Sequence, residues 1–369
     1  MKRLKQIIIT VIFILLFLIF YEFLLRITEI ATPSFVYDDI KVGRTFKPGS
    51  DVIFKGAEGF YMGSVNKFGY LGKEYPPEKN KNSIRIALIG DSYIEGMQLF
   101  ERHHFKNKLE KTLTDSLEKK VEILNFGIGG IDFRDMYFNY THKAKKFNPD
   151  IVLFYIKKSN LLNKEKFPSP EYYLDGDSLK LDYSFLGSGE SSLRQKFAFI
   201  RDYALGYLLK ETYENYYNGM LLSKITNGLI KKDRIEKGKK ELIRNEKERE
   251  IFQLNKKIFE QLDSETKTKG IKFILLITDD FPEYYYPVIN SFSSIEKIII
   301  PKDLNDYSNK KYRYWKASGM LGHWNQEAHK QVAEFLFPYF IKIINNLHPE
   351  EKIFTQSPTN ILLSNDEKN

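Results

Sequence analysis

The sequence predicts an α/β fold, a mostly parallel sheet with helices on both faces, preceded by an apolar helix long enough to cross a membrane. Three observations predict it. Apolar runs of strand length recur at 84–89, 121–125, 151–156 and 271–277. Helically spaced apolar residues separate the runs, the rhythm of parallel βαβ units. Ahead of all of them, Ile7 to Tyr21 is apolar apart from Thr10.

Residues 1–29 read as a signal-anchor with its flanks. After Glu22 the apolar run resumes with Phe23-Leu24-Leu25, and a helix over Ile7–Leu25 would be about 28 Å long, close to the hydrocarbon thickness. Lys2, Arg3 and Lys5 precede it, whereas Arg26 behind it is offset by Glu22 and Glu29. That bias keeps the N-terminus cytoplasmic and puts the rest outside. The flank Leu24 to Ala31 holds no small-x-small cleavage site, so the helix is expected to stay.

Residues 30–82, rich in Gly, Pro, Lys and aromatics, read as a juxtamembrane segment with short strands such as the alternating Asp51-Val52-Ile53-Phe54. The main domain spans 83–350. Ile84–Ile89 is its first strand, and Phe105, Leu109, Leu113 and Leu117 mark a helix. Val121–Asn125 follows as the second strand, ending in Phe126-Gly127-Ile128-Gly129-Gly130. Asp132 caps a helix carrying Phe133, Met136, Tyr137 and Tyr140, and Ile151–Ile156 is the third strand.

Residues 164–240 break the rhythm and predict a helical insertion without strands. Its tyrosines (Tyr203, Tyr207, Tyr213, Tyr216, Tyr217) are expected to pack as core and lid beside the active-site edge. A helix over Glu248–Thr266 turns Ile251, Leu254, Ile258 and Leu262 to one side; Ile271–Ile277 and Ile295–Ile300 are strands four and five. Gln326–Leu347 is the last helix, with Val332, Phe335, Leu336, Phe340 and Ile344 inward and Pro338 bending it. Residues 351–369 are a polar tail.

Composition removes several function classes. The chain has no cysteine, which excludes disulfides, thiolate catalysis and Cys-based metal sites. A net charge of +9 is spread among acidic residues; Lys231 to Glu250 mixes nine basic with six acidic side chains. No nucleic-acid motif accompanies it, so the charge suits anionic lipid or glycan better. His103-His104 are adjacent and cannot converge on one metal from a helix, so they read as surface residues. No cofactor or metal is called for.

The chemistry lies in two places. Gly90-Asp91-Ser92-Tyr93 leaves the first strand, and a serine on such a turn is placed to be a nucleophile. Gly322-His323-Trp324-Asn325 precedes the last helix. His323 can serve as base if the strands between bring it to Ser92; His329, within the helix, reads as structural.

Four blocks in this order resemble the SGNH (GDSL-type) hydrolase family. They are Gly90-Asp91-Ser92-Tyr93-Ile94-Glu95-Gly96, Asn125-Phe126-Gly127-Ile128-Gly129-Gly130, Lys158-Ser159-Asn160-Leu161 and His323-Trp324-Asn325 with His329. Asn66-Lys67-Phe68-Gly69-Tyr70-Leu71-Gly72 is similar to a stretch found upstream in membrane-anchored members. The resemblance covers roughly residues 65–345 and implies a doubly wound flavodoxin-like α/β/α sandwich. It also implies a Ser92 acyl-enzyme, His323 as base, and an oxyanion hole from the N–H groups of Ser92 and Gly130 and the Asn160 amide.

The chain departs from the family where an aspartate should orient the base, because Met320 and Leu321 stand there. Three readings stay open: a main-chain carbonyl orients His323, a remote acid such as Asp279 or Asp280 does, or catalysis is lost. The expected function is a membrane-anchored, extracytoplasmic serine esterase or O-acyltransferase acting on acyl, above all acetyl, esters of a cell-surface glycan. The rival is a catalytically impaired relative that binds glycan or scaffolds a complex.

Overall fold

Strands β5 (Ser83–Ile89), β6 (Lys120–Asn125), β7 (Ile151–Ile156), β10 (Lys272–Ile277) and β11 (Glu296–Ile299) form one sheet in the order β11-β10-β7-β5-β6. All its pairings are parallel. Numbered along the chain, the five strands lie in the order 2-1-3-4-5, the flavodoxin-like doubly wound order. The structure is a computed structural model describing residues 2–39, 42–55, 58–162, 169–187, 198–210, 212–213, 237–316 and 318–349. The polar tail lies outside them.

Both faces of the sheet are covered, which is why its strands read as unbroken apolar runs. On one face Ile84, Ile86, Leu88, Leu153, Tyr155 and Leu276 pack under α3 (Phe105–Ser116) and the last helix, α6 (Gln326–Leu347). On the other, Ala87, Ile89, Val152, Phe154, Leu275 and Ile277 meet α4 (Phe133–His142) and α5 (Lys237–Lys269). Each fully buried Leu, Ile or Phe contributes about 1.5–3 kcal/mol. Helix α5 outruns the expected Glu248–Thr266 at both ends. Apolar spacing marks only its core-facing part, where Ile258, Phe259 and Leu262 are buried.

Two antiparallel hairpins precede the sheet: β1 (Val36–Asp39) with β2 (Gly43–Phe46), and β3 (Asp51–Lys55) with β4 (Phe60–Ser64). This segment shares the sheet's core through Phe35, Phe46, Val52, Tyr61, Val65, Tyr70 and Leu71. Leu71 bridges to Asn125 at the end of β6. Buried Arg85 donates to the Pro76 and Pro77 carbonyls, 2.9 and 3.1 Å away, while its other nitrogens bind Glu122.

Two expectations need correction. The 164–240 insertion is not strandless, because β8 (Glu171–Asp175) and β9 (Ser178–Asp182) form a hairpin within it. Tyr172 and Leu174 on β8, and Leu179 and Leu181 on β9, alternate with exposed residues around a two-residue turn in which Gly176 has φ 58°. That period-two alternation, closed by a two-residue turn, is the hairpin's sequence signature. Nor are its tyrosines all packed inside: Tyr203 is 53 % and Tyr213 65 % exposed, and Tyr216 and Tyr217 lie outside the described residues. Helix α1 (Lys2–Thr28) is long and apolar enough to span a membrane, with mean hydropathy 2.9 over its best window.

Candidate active site

The carboxyl ends of β5 and β7 lie where the strand order reverses, the place at which sheets of this type bind ligands. Beyond β5 the chain enters the short helix α2 (Ser92–Glu95), capped by Asp91, whose carboxylate accepts the Tyr93 N–H at 3.1 Å. Ser92 is therefore the first helical residue, half-buried, its hydroxyl facing away from the core that holds Tyr93 and Ile94.

His323 meets it. Ser92 Oγ and His323 Nε2 are 2.8 Å apart across 231 residues of sequence. The loop that carries His323 is held on several sides. Trp315 Nε1 donates to the His323 carbonyl at 3.1 Å, and Trp324 Nε1 to the Leu304 carbonyl at 2.9 Å. Asn325 caps α6 by accepting the Ala328 N–H. Fully buried Arg313 ties the carbonyls of Leu304 and Gly322 to the Tyr93 hydroxyl. The Tyr93 ring lies 4.8 Å from the imidazole.

The carboxylate behind the imidazole comes from neither the positions beside His323 nor the strand-four loop. Glu58, in the turn between β3 and β4, accepts from His323 Nδ1 at 2.8 Å and from the His323 main-chain N–H at 2.9 Å. Two bonds to one carboxylate fix both the loop and the ring. Facing a carboxylate, Nδ1 carries the proton, which leaves Nε2 as the acceptor toward Ser92. Burial raises the Glu58 carboxyl, and the His323 hydrogen bonds outweigh it, so its pKa sits below the ordinary value.

Gly322 is a condition of this arrangement. A Cβ there would come within 2.4 Å of the Glu58 carboxyl carbon. Sequence reasoning missed Glu58. Asp279 instead accepts from Asn305, and Asp280 from the Thr278 hydroxyl at 2.6 Å. Met320 and Leu321 are exposed on a two-residue strand.

The other expected site residues divide. Gly130 sits after β6 in the left-handed region at φ 83°, a conformation that favours glycine. The neighbouring turn is pinned by Gly129 N–H donating to Glu95 Oε1 at 2.9 Å. Asn160 is buried after β7, and its amide is engaged: Nδ2 donates to Asp91 at 3.1 Å and to the Ile131 carbonyl at 3.2 Å. Lys157 Nζ binds the same Asp91 carboxylate at 2.7 Å. Both Asn160 amide protons are thus taken, and the residue braces the turn that carries Ser92.

His329 accepts the Phe105 N–H at 3.2 Å inside the core, and burial drives its pKa well below the ordinary value. His104, read from sequence as a surface residue, is 3 % exposed. It caps α3 by accepting the Lys106 N–H, and its other ring nitrogen bonds the Ile94 carbonyl. Burial lowers its pKa to about 3.

No family profile and no curated protein matches the chain. Among solved structures, that of an acetyl xylan esterase resembles 69 % of this chain and 99 % of its own, at 14 % identity and a TM-score of 0.33. A likeness that loose says nothing about activity.

Proposed function

We propose that this chain is a membrane-anchored serine esterase or O-acyltransferase of the SGNH type, working outside the cytoplasm on acyl, above all acetyl, esters of a cell-surface glycan. The observation that carries the reading is the continuous chain Ser92 Oγ–His323 Nε2–His323 Nδ1–Glu58, with both links at 2.8 Å.

Ser92 attacks the ester carbonyl while His323 Nε2 takes its proton. The imidazolium that forms lies against the Glu58 carboxylate, which need not itself be protonated. The main-chain N–H groups of Ser92 and Gly130 receive the oxyanion, each such donor contributing on the order of 3 kcal/mol. His323 returns the proton to the leaving alkoxide and the acyl group stays on Ser92 Oγ. Water or a sugar hydroxyl then attacks, deprotonated by His323, and Ser92 is regenerated. The missing acid at 320 and 321 favours a catalytically impaired binding protein, and the Glu58 carboxylate 2.8 Å from His323 Nδ1 supports the catalytic reading instead.

Helix α1 anchors the chain in this reading, with Lys2, Arg3 and Lys5 on the cytoplasmic side. The test is labelling of the full-length protein in detergent with a fluorophosphonate serine probe. Wild type is expected to label and Ser92→Ala to stay unlabelled. Equal labelling of the two would overturn the nucleophile assignment, and no labelling of either would return the binding-protein reading.

A further inference from the structure

Outside the catalytic region, a feature without an assigned role lies where α1 ends. A short helix over 204–210 packs there against Leu25 and Ala31, with Ala204 fully buried and Tyr21, Leu205 and Leu208 around it. Glu22 accepts the Ala204 and Leu205 N–H groups, each at 2.9 Å. Arg26 pairs with Glu22 at 2.6 Å and donates to the Asp202 carbonyl at 3.0 Å. Lys47 closes the joint from the first hairpin, 2.6 Å from the Asp202 carboxylate. The segment is thus clamped to α1 and to the folded domain together.

Its outer side is apolar. Phe199 is 60 %, Tyr203 53 % and Leu209 61 % exposed, and Ile27 and Ile30 beyond the clamp are 64 % and 62 % exposed. Single exposed apolar residues are ordinary, but a run of them beside an apolar helix is not. Geometry names the occupant. Taking Leu25 as the outer end of the span, Glu22 lies only about 4.5 Å inside it at 1.5 Å per residue. A helix fastened to Glu22, Tyr21 and Leu25 must then lie at the boundary between acyl chains and headgroups. Aromatic and aliphatic side chains with charged neighbours are the composition that this layer takes up.

We propose that residues 198–210 form a second membrane contact, an interfacial segment lying in the outer headgroup layer and holding the catalytic domain at a fixed attitude to the bilayer. The proposal rests on α1 being a transmembrane anchor. The glycan esters within reach are then those close to the membrane surface.

The chain has no cysteine, so single cysteines can be labelled cleanly. Phe199→Cys, Tyr203→Cys and Leu209→Cys would be made in the full-length protein, with Phe13→Cys inside α1 and Lys120→Cys at the start of the edge strand β6 as references. Each carries an environment-sensitive fluorophore in vesicles of neutral and anionic phospholipid. The expected result is strong quenching by lipid-borne nitroxides at 199, 203 and 209, none at 120, and deep quenching at 13. Quenching of 199, 203 and 209 by aqueous iodide to the level of 120 would overturn the proposal while leaving the anchor intact. Protection from both quenchers would overturn it in favour of a protein partner. Iodide access at 13 would instead sink the anchor reading, whatever the other sites show.

Discussion

His323 and His329 stand six residues apart on one loop-helix junction, yet nothing about their surroundings is alike. His323 is about a quarter exposed, with a hydroxyl on one nitrogen and a carboxylate on the other. His329 is 1 % exposed, accepts a main-chain N–H, and has the His104 ring 4.8 Å away. One ring lies against a carboxylate, 2.8 Å from Nδ1. The other must stay neutral, because a charge there would be buried without a counter-charge. The residue type thus says little about the role, whereas the partners of the two nitrogens decide it.

The sharpest break of that contrast is removal of the proposed nucleophile or the proposed base. Ser92→Ala and His323→Ala should each lower kcat on a simple acetyl ester by on the order of 10⁶-fold, as in comparable triads, with the thermal midpoint little changed. Turnover surviving Ser92→Ala would end the covalent mechanism. Glu58→Gln comes next. It keeps the shape but removes the acceptor that selects the tautomer, and kcat should fall on the order of 10⁴-fold. A loss of less than tenfold would show that the main chain can orient His323 unaided.

The buried pair is tested by acid rather than by turnover. Both folded pKa values lie below the ordinary 6.5, His104 at about 3. The unfolded chain therefore binds more protons than the fold below pH 6.5. Stability is fully present above that value and falls as pH drops toward 3, by up to about 1.4 kcal/mol per pH unit for each histidine. Urea midpoints measured from pH 7 to pH 4 would check this, and His329→Leu should flatten the slope. The same substitution should cost about 1–3 kcal/mol at pH 7, by leaving the Phe105 N–H unpaired, with kcat near wild type.

The smallest effect sharpens the case for Glu58. Leu321→Asp places a carboxylate at one of the family's expected positions, where Glu58 already holds the ring. Activity should change less than about twofold, and a large gain would mean that Glu58 is a poor acceptor in solution.

The sheet was legible because strands covered on both faces must be apolar throughout, and the short length and regular spacing of runs such as Ile151–Ile156 set them apart from the much longer apolar run of α1. Ser92 and His323 were legible because each borders a regular element. Glu58 has neither advantage. It sits in a turn between two short strands, 265 residues from its partner, and a lone glutamate in such a turn has no periodicity. The available signal was indirect: Gly322 stands beside His323 with no turn of its own to explain it, and the close approach of Glu58 does. The β8–β9 hairpin carried a usable pattern, alternation around Gly176-Asp177, but its two five-residue strands are only half-buried and lack the continuous apolar runs that marked the sheet.

The separation of Glu58 from His323 also sets a timetable. During synthesis the acid leaves the ribosome early, the serine soon after, and the base only near the end, 231 residues behind the serine. A nascent chain can pair β5 with β6 and β7, yet it holds a serine with no proton acceptor until the last loop arrives. On the proposed mechanism incomplete products are therefore chemically silent, and a chain trimmed back to the start of β5 would lose both its acid and the core residues Phe46, Val52, Tyr61, Val65, Tyr70 and Leu71. In the proposed mechanism the site is completed only by the contact of Glu58 with His323, 265 residues apart, a slow and entropically costly closure.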